Sequence, residues 1–309
     1  MTKGISIHVG VTEVDESAYG PFRTLRGCDN DAKKMAQLAD AQKFRGLDPA
    51  NLAADVAPRA LLEKDAKKDT ILALIREAAK RLQPGDMFLM TYSGHGFQVK
   101  DQRPKNEEDD GQDEVLCPED HPLLDDELAT EWRKFKPNVR ILVVTDSCHN
   151  GTVADVGDTD AGDGTHGTAT PAFAGAAVET GGGGTAVALR EEKRTTKPVR
   201  TLTPEQVKGA VDRNRELFTK KREPKADLTA LVISMAACGD NESTRDDLPN
   251  GAFTTALLAA WNDGTFAGTH RELLDGTRAA LPNQHPQFGI QGPKGKARDD
   301  FDAQQAFRI

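Results

Sequence analysis

Two short stretches of this sequence set reactive side chains beside glycine. Ser93-Gly94-His95-Gly96 follows an apolar run at residues 87–92, and Asp146-Ser147-Cys148-His149-Asn150-Gly151 follows another at 140–145. A neutral imidazole can take the proton of a thiol, and the thiolate left behind attacks carbonyl carbon. His95 as base and Cys148 as nucleophile are the candidate pair. The backbone N–H groups of Gly96 and Cys148 are the candidate oxyanion donors, each such donor being worth about 2.7–4 kcal/mol where it has been removed from a protease. His149 is a rival base, but adjacent residues of an extended chain point to opposite faces, so it is read as turned away. His8, His121, His166, His270 and His285 lie outside any glycine-framed segment and are read as structural.

Such groups need strands to carry them, because functional residues of open α/β sheets gather at the carboxyl ends of strands. Residues 5–11 alternate and read as a strand, and 87–92 and 140–145 read as buried parallel strands, apolar on both faces. Residues 228–234 read as a further buried strand, which with its neighbours could offer an edge. Apolar spacing predicts helices over 29–41, 70–82, 125–135, 253–261 and 271–281, and a basic amphipathic helix over 203–221. Asp29, Asn30 and Asp31 suit the first turn of the first helix. Strands and helices in this succession form an α/β pattern, interrupted by a charged insert at 100–112 and a Gly/Thr/Ala/Asp-rich insert at 151–184.

The 309 residues carry a net charge of −9 and 37% hydrophobic residues. An acidic balance disfavours nucleic acid or an anionic membrane surface as partner, since both require clustered Lys and Arg. No apolar run has the ~20 residues of a membrane span, and no secretory signal is read at the N-terminus, so a cytoplasmic location is expected. Cys28, Cys117, Cys148 and Cys238 are scattered without a CxxC pair, which indicates neither a zinc site nor a disulfide framework.

On these residues the sequence resembles the metacaspases, within the caspase-like cysteine peptidases. The matching segments stand in family order. They are Leu25–Ala32 (LRGCDNDA), Tyr92–Gly96 (YSGHG), Asp110–Glu114 (DGQDE) with Pro118-Glu119-Asp120, Asp125–Leu128 (DDEL), Asp146–Gly151 (DSCHNG), Ile233–Cys238 (ISMAAC) and Gly251–Thr254 (GAFT). Asn150 replaces a usual small residue, and the insert after Gly151 is long. The resemblance implies a caspase-like three-layer α/β sandwich, a mainly parallel sheet with helices on both faces. It also implies a large-subunit-like part over 1–190, a linker over 191–226 and a small-subunit-like part over 227–309, in a minimal member without a prodomain that is expected to be a monomer.

It implies further that His95 and Cys148 form the dyad, and that Cys28, Asp31, Ser93 and Asp146 line the primary specificity pocket. Two carboxylates in one cavity favour a guanidinium or ammonium, a charge-assisted bond contributing ~1.5–3 kcal/mol. The expected substrates are therefore proteins or peptides cut after Arg or Lys. The competing reading is that Asp31 caps a helix and Asp146 orients a loop. Asp110, Asp125, Asp126 and Asp155 match the family's calcium site, against the alternative of an acidic surface. No organic cofactor is expected. The linker carries Arg190, Lys193, Arg194, Lys197, Arg200, Lys220, Lys221 and Arg222, so self-cleavage is expected there. A catalytically silent caspase-like scaffold and another Cys-dependent amide hydrolase are the alternative functions.

Overall fold

The computed structural model describes residues 2–100, 112–148, 199–219, 227–239 and 244–309. His149, Asp110, Asp155 and most basic residues of the expected linker lie outside these.

Six strands form the central sheet: β1 (Gly4–Gly10), β2 (Ala60–Leu62), β3 (Met87–Ser93), β4 (Arg140–Asp146), β5 (Leu231–Ala236) and β6 (Gln287–Gln291). Their spatial order is β6-β5-β4-β3-β1-β2. Every pair is parallel except β5–β6. The mainly parallel sheet expected from the sequence is thus present, closed at one edge by an antiparallel strand.

Side chains alternate across each strand, so both faces must be covered. One face, with Ile5, Ile7, Val9, Phe88, Met90, Ile141 and Val143, packs on the helices Lys68–Arg81 and Asp125–Trp132 through Leu72, Ile75, Leu128 and Trp132. The other, with Met87, Leu89, Leu142, Val144, Ile233 and Met235, packs on Cys28–Ala41, Ala252–Trp261 and His270–Ala279 through Met35, Phe253, Leu257 and Leu273. The layers are helix, sheet, helix.

Two readings of the sequence need correction. The strand expected at 228–234 begins three residues later, at Leu231, whose N–H bonds Val139 O. β4 and β6 pair with it on either side, and its neighbour β6 forms the edge of the sheet. The first helix begins one residue early, at Cys28 behind Gly27; Asp29 and Asp31 lie in its first turn as expected, and the Asp31 carboxylate bonds the Ser93 hydroxyl at the end of β3. Sequence reading also missed β2, β6 and the hairpin of Gly96–Lys100 with Gln112–Leu116. These strands are short or polar, and pairing with partners distant in sequence holds them.

Within the expected linker, the chain folds as two helices, Pro204–Arg213 and Arg215–Thr219. Thr203 caps the first through its side chain. Leu202, Ala210 and Phe218 bury against Ala18, Tyr19, Phe97 and Leu124.

Candidate active site

The carboxyl ends of β3 and β4 lie side by side, Ser93 in register with Asp146. His95 follows the first and Cys148 the second. Beyond β3 the chain must turn sharply while pressed against the Cys148 segment. A β-carbon at position 96 would lie 2.6 Å from the carbonyl oxygen of Cys148, and one at 94 would strike the Tyr92 hydroxyl. Glycine at both positions is thus a requirement of close approach. Tyr92 locks the turn by donating to His95 O at 2.8 Å.

His95 is buried, with Phe22 edge-on to its ring at 5.5 Å. Nδ1 lies 2.9 Å from Arg200 O, and Nε2 lies 2.7 Å from Arg23 O. Burial lowers its pKa, while the two carbonyls work in the opposite direction. A neutral ring donates to one of them, leaving its other nitrogen as the basic position. Cys148 is buried as well, and burial raises its thiol pKa. Its sulfur accepts from the Thr201 hydroxyl and from Thr244 N–H, each at 3.3 Å. Burial thus favours the thiol and the neutral imidazole.

Beside them lies the acidic pocket expected from the sequence, and it holds a cation from the same chain. The guanidinium of Arg200, wholly buried, lies 2.9 Å from Asp31 Oδ2 and 2.9 Å from Asp146 Oδ1. It also donates to Ser93 Oγ at 2.9 Å and to the backbone oxygen of Asp146. Each carboxylate is held from behind. Asp31 accepts from Ser93 Oγ, Asn250 Nδ2 and Gly251 N–H. Asp146 accepts from Thr254 N–H, Thr254 Oγ1 and Thr244 Oγ1. Gly251 is forced by the same crowding, since a β-carbon there would lie 2.6 Å from Asp146 Oδ2. Cys28 borders the group, its thiol pushed up to about 12 by burial.

A third carboxylate, Asp246, was not anticipated. Its Oδ1 lies 3.5 Å from the Arg200 guanidinium, and it is anchored by the N–H groups of Arg26 and Gly27. Burial opposes charge on Arg200, but Asp146 and Asp31 outweigh it and hold the guanidinium protonated. Burial raises the Asp146 carboxyl, and Arg200 opposes that rise. Removing one partner of such a buried cluster costs ~3–5 kcal/mol.

Of the expected calcium ligands, Asp125 and Asp126 are described, both buried in the first turn of their helix. With Asp113 they form a group whose carboxylate oxygens lie within 4.8 Å of one another. Asp113 stands in the quoted DGQDE segment, so its acidity was visible, but only the hairpin brings it to the helix. Three buried carboxylates at this spacing repel one another, and hard oxygen donors suit Ca²⁺.

His8 and His270, read as structural, are buried and held neutral, with pKa values of about 3. His8 lies between Ser6 and Thr91, and His270 accepts from Phe307 N–H.

The chain is similar to known proteins. The family model of the metacaspase, peptidase C14 domain, matches residues 7–157. Metacaspase-1A of Neurospora crassa is 36% identical over 143 residues, which is 44% of this chain and 30% of that protein. Metacaspase-1 of Schizosaccharomyces pombe is 28% identical over 274 residues, 85% of this chain and 62% of that one. The chain thus spans less than two thirds of the length of these curated relatives. The crystal structure of protein GSU0716 from Geobacter sulfurreducens superposes with a TM-score of 0.72 at 30% identity, covering 99% of each chain.

Proposed function

The chain belongs to the metacaspase-type, caspase-like peptidases through residues 7–157, and from that premise we propose that it is a cysteine endopeptidase cutting after Arg or Lys. The observation that carries this reading is the guanidinium of Arg200 between Asp31 and Asp146, with the thiol of Cys148 at the next residue along.

In the proposed reaction a substrate Arg enters the Asp31–Asp146 pocket and its carbonyl carbon meets Cys148 Sγ. His95 takes the thiol proton, the thiolate attacks, and the N–H groups of Gly96 and Cys148 stabilise the oxyanion. His95 returns the proton to the leaving amine, and water hydrolyses the thioester. An acidic side chain in the pocket would add a fourth negative charge to Asp31, Asp146 and Asp246, so specificity arises from repulsion as well as attraction.

Calcium fits the group at Asp113, Asp125 and Asp126 by its donor chemistry. Bound there, it would neutralise the carboxylates and tie the hairpin that follows His95 to the helix Asp125–Trp132. The test of the reading is a fluorogenic peptide series differing only at the residue before the cut. Turnover of the Arg and Lys peptides, lost in Cys148→Ala, is expected; preference for the Asp peptide would refute it.

A further inference from the structure

Resting on the peptidase reading, we propose that Tyr92 and Tyr19 are positioning residues for His95, clamping the Cys117–Pro118 segment to the turn that presents the base. They are the only two tyrosines of the sequence, and their hydroxyls meet consecutive backbone positions. Tyr92 Oη lies 2.8 Å from His95 O and 2.9 Å from Cys117 O, so its one proton faces two carbonyl oxygens. It also accepts from Cys117 N–H at 3.0 Å. Tyr19 Oη donates to Pro118 O at 2.8 Å. Both rings are buried. Burial holds both phenols well above the usual phenol range, so each keeps the proton it donates.

The ring of His95 depends on this clamp from two sides. Its nitrogens meet the backbone carbonyls of Arg200 and Arg23, so the ring lies where its own backbone and those carbonyls put it. Tyr92 fixes the backbone at His95 O, and Cys117 N–H adds a second bond to the same oxygen at 3.2 Å. Tyr19 fixes the wall beside the ring. Its own ring packs on Phe22 at 5.3 Å between centroids, and Phe22 stands edge-on to the imidazole at 5.5 Å. Arg23, whose carbonyl faces Nε2, is the next residue. The strand Gln112–Leu116 runs directly into the clamp and carries Asp113, so the base is tied to that strand as well. Proton transfer is sensitive to such placement, since a ~1 Å displacement can cost ~10²-fold in rate.

Tyr92→Phe removes a single oxygen. The ring stays in the core, and Cys117 N–H keeps His95 O as an acceptor, so the fold should hold. His8 supplies an internal control. It bonds the side chain of Thr91, the residue before Tyr92, at 3.0 Å, and so reports on β3 itself.

The experiment compares wild type, Tyr92→Phe and Tyr19→Phe in two ways. One is steady-state kinetics on an Arg peptide. The other is NMR of the histidine ring nitrogens in nitrogen-labelled protein carrying Cys148→Ala, with signals assigned through His95→Gln and His8→Gln. In Tyr92→Phe, kcat should fall ~10-fold or more with KM within about twofold. The ring signals of His95 should move while those of His8 and His270 stay. Tyr19→Phe should show the same pattern with a smaller fall in kcat, because it acts through Phe22. An unchanged kcat in Tyr92→Phe, or a rise in KM with kcat intact, would overturn the inference. So would signals of His8 and His95 that move together, which would mean a disturbed strand. If Tyr92→Phe does not fold, Tyr19→Phe decides alone, and an unchanged kcat or unmoved His95 signals there would overturn it. Folded wild type that cuts no Arg or Lys peptide would overturn the peptidase reading instead, and the histidine signals would still decide whether the tyrosines position His95.

Discussion

The hydroxyl of Thr201 donates to the sulfur of Cys148 over 3.3 Å. Fifty-three positions separate the two residues, yet this contact, with Arg200 O against His95, places the chain's own backbone between candidate base and candidate nucleophile. The resting site is consequently filled by the chain itself, and burial there favours the neutral thiol.

That neutrality is measurable. Burial raises the Cys148 thiol above the ordinary cysteine value, so in the resting protein the thiolate fraction at neutral pH is small and alkylation by iodoacetamide should be slow. The rate should climb only above the usual thiol range. A rate near that of a free thiol at pH 7.5 would mean that the sulfur is neither buried nor covered in solution.

The pocket carboxylates make unequal demands. Asp31→Ala removes one charge-assisted partner of the substrate cation, so kcat/KM for an Arg peptide should fall ~10–100-fold, following ~1.5–3 kcal/mol. Asp246→Asn, at the longer 3.5 Å contact, should cost less. Steady-state kinetics on wild type and both variants, each confirmed folded, checks the order. An Asp246→Asn loss exceeding that of Asp31→Ala would show the assignment reversed.

Gly96→Ala tests the turn that presents His95. Its added methyl would lie 2.6 Å from Cys148 O, forcing apart the two segments that carry base, nucleophile and oxyanion donors. Since the acidic pocket lies at other residues, kcat should drop by ~10²-fold or more, as for loss of an oxyanion donor, while KM changes little. A large rise in KM with kcat intact would contradict this.

Calcium binding is expected to stabilise the fold through Asp113, Asp125 and Asp126. With Ca²⁺ at a hundred times its dissociation constant, linkage gives ~2.7 kcal/mol, visible as an upward shift in Tm of Cys148→Ala. Asp113→Asn should abolish that shift. A shift unchanged in Asp113→Asn would place any calcium elsewhere.

Acid should destabilise the protein through His8 and His270, whose folded pKa values of about 3 lie below the value of 6.5 for a solvated imidazole. The unfolded chain gains these protons below pH 6.5 and the folded chain does not, so the stabilisation is complete above 6.5 and is lost as pH falls toward 3. Each histidine contributes a slope of up to ~1.4 kcal/mol per pH unit in that window. Denaturant unfolding of Cys148→Ala from pH 7 to 4.5 should show the slope, and His8→Gln should reduce it. An identical slope in His8→Gln would remove His8 as a cause.

The sequence by itself determined β3 and β4, because a parallel strand covered on both faces is apolar at nearly every position, and β1, because its apolar residues alternate. It likewise determined which residues stand at their ends, since His95 and Cys148 follow those strands within two positions. The pocket acids Asp31 and Asp146 were legible through ordered motifs. Only the tertiary structure decided what those acids hold. Arg200 lies 169 positions from Asp31, and in sequence it is one of many basic residues in a linker. Asp246 was equally ordinary among the acidic residues, and Asp113, though inside the quoted DGQDE segment, met Asp125 and Asp126 only through the hairpin. Local spacing reports which face a side chain takes along its own element; which distant charge meets it depends on how the elements pack, and no period in the sequence records that.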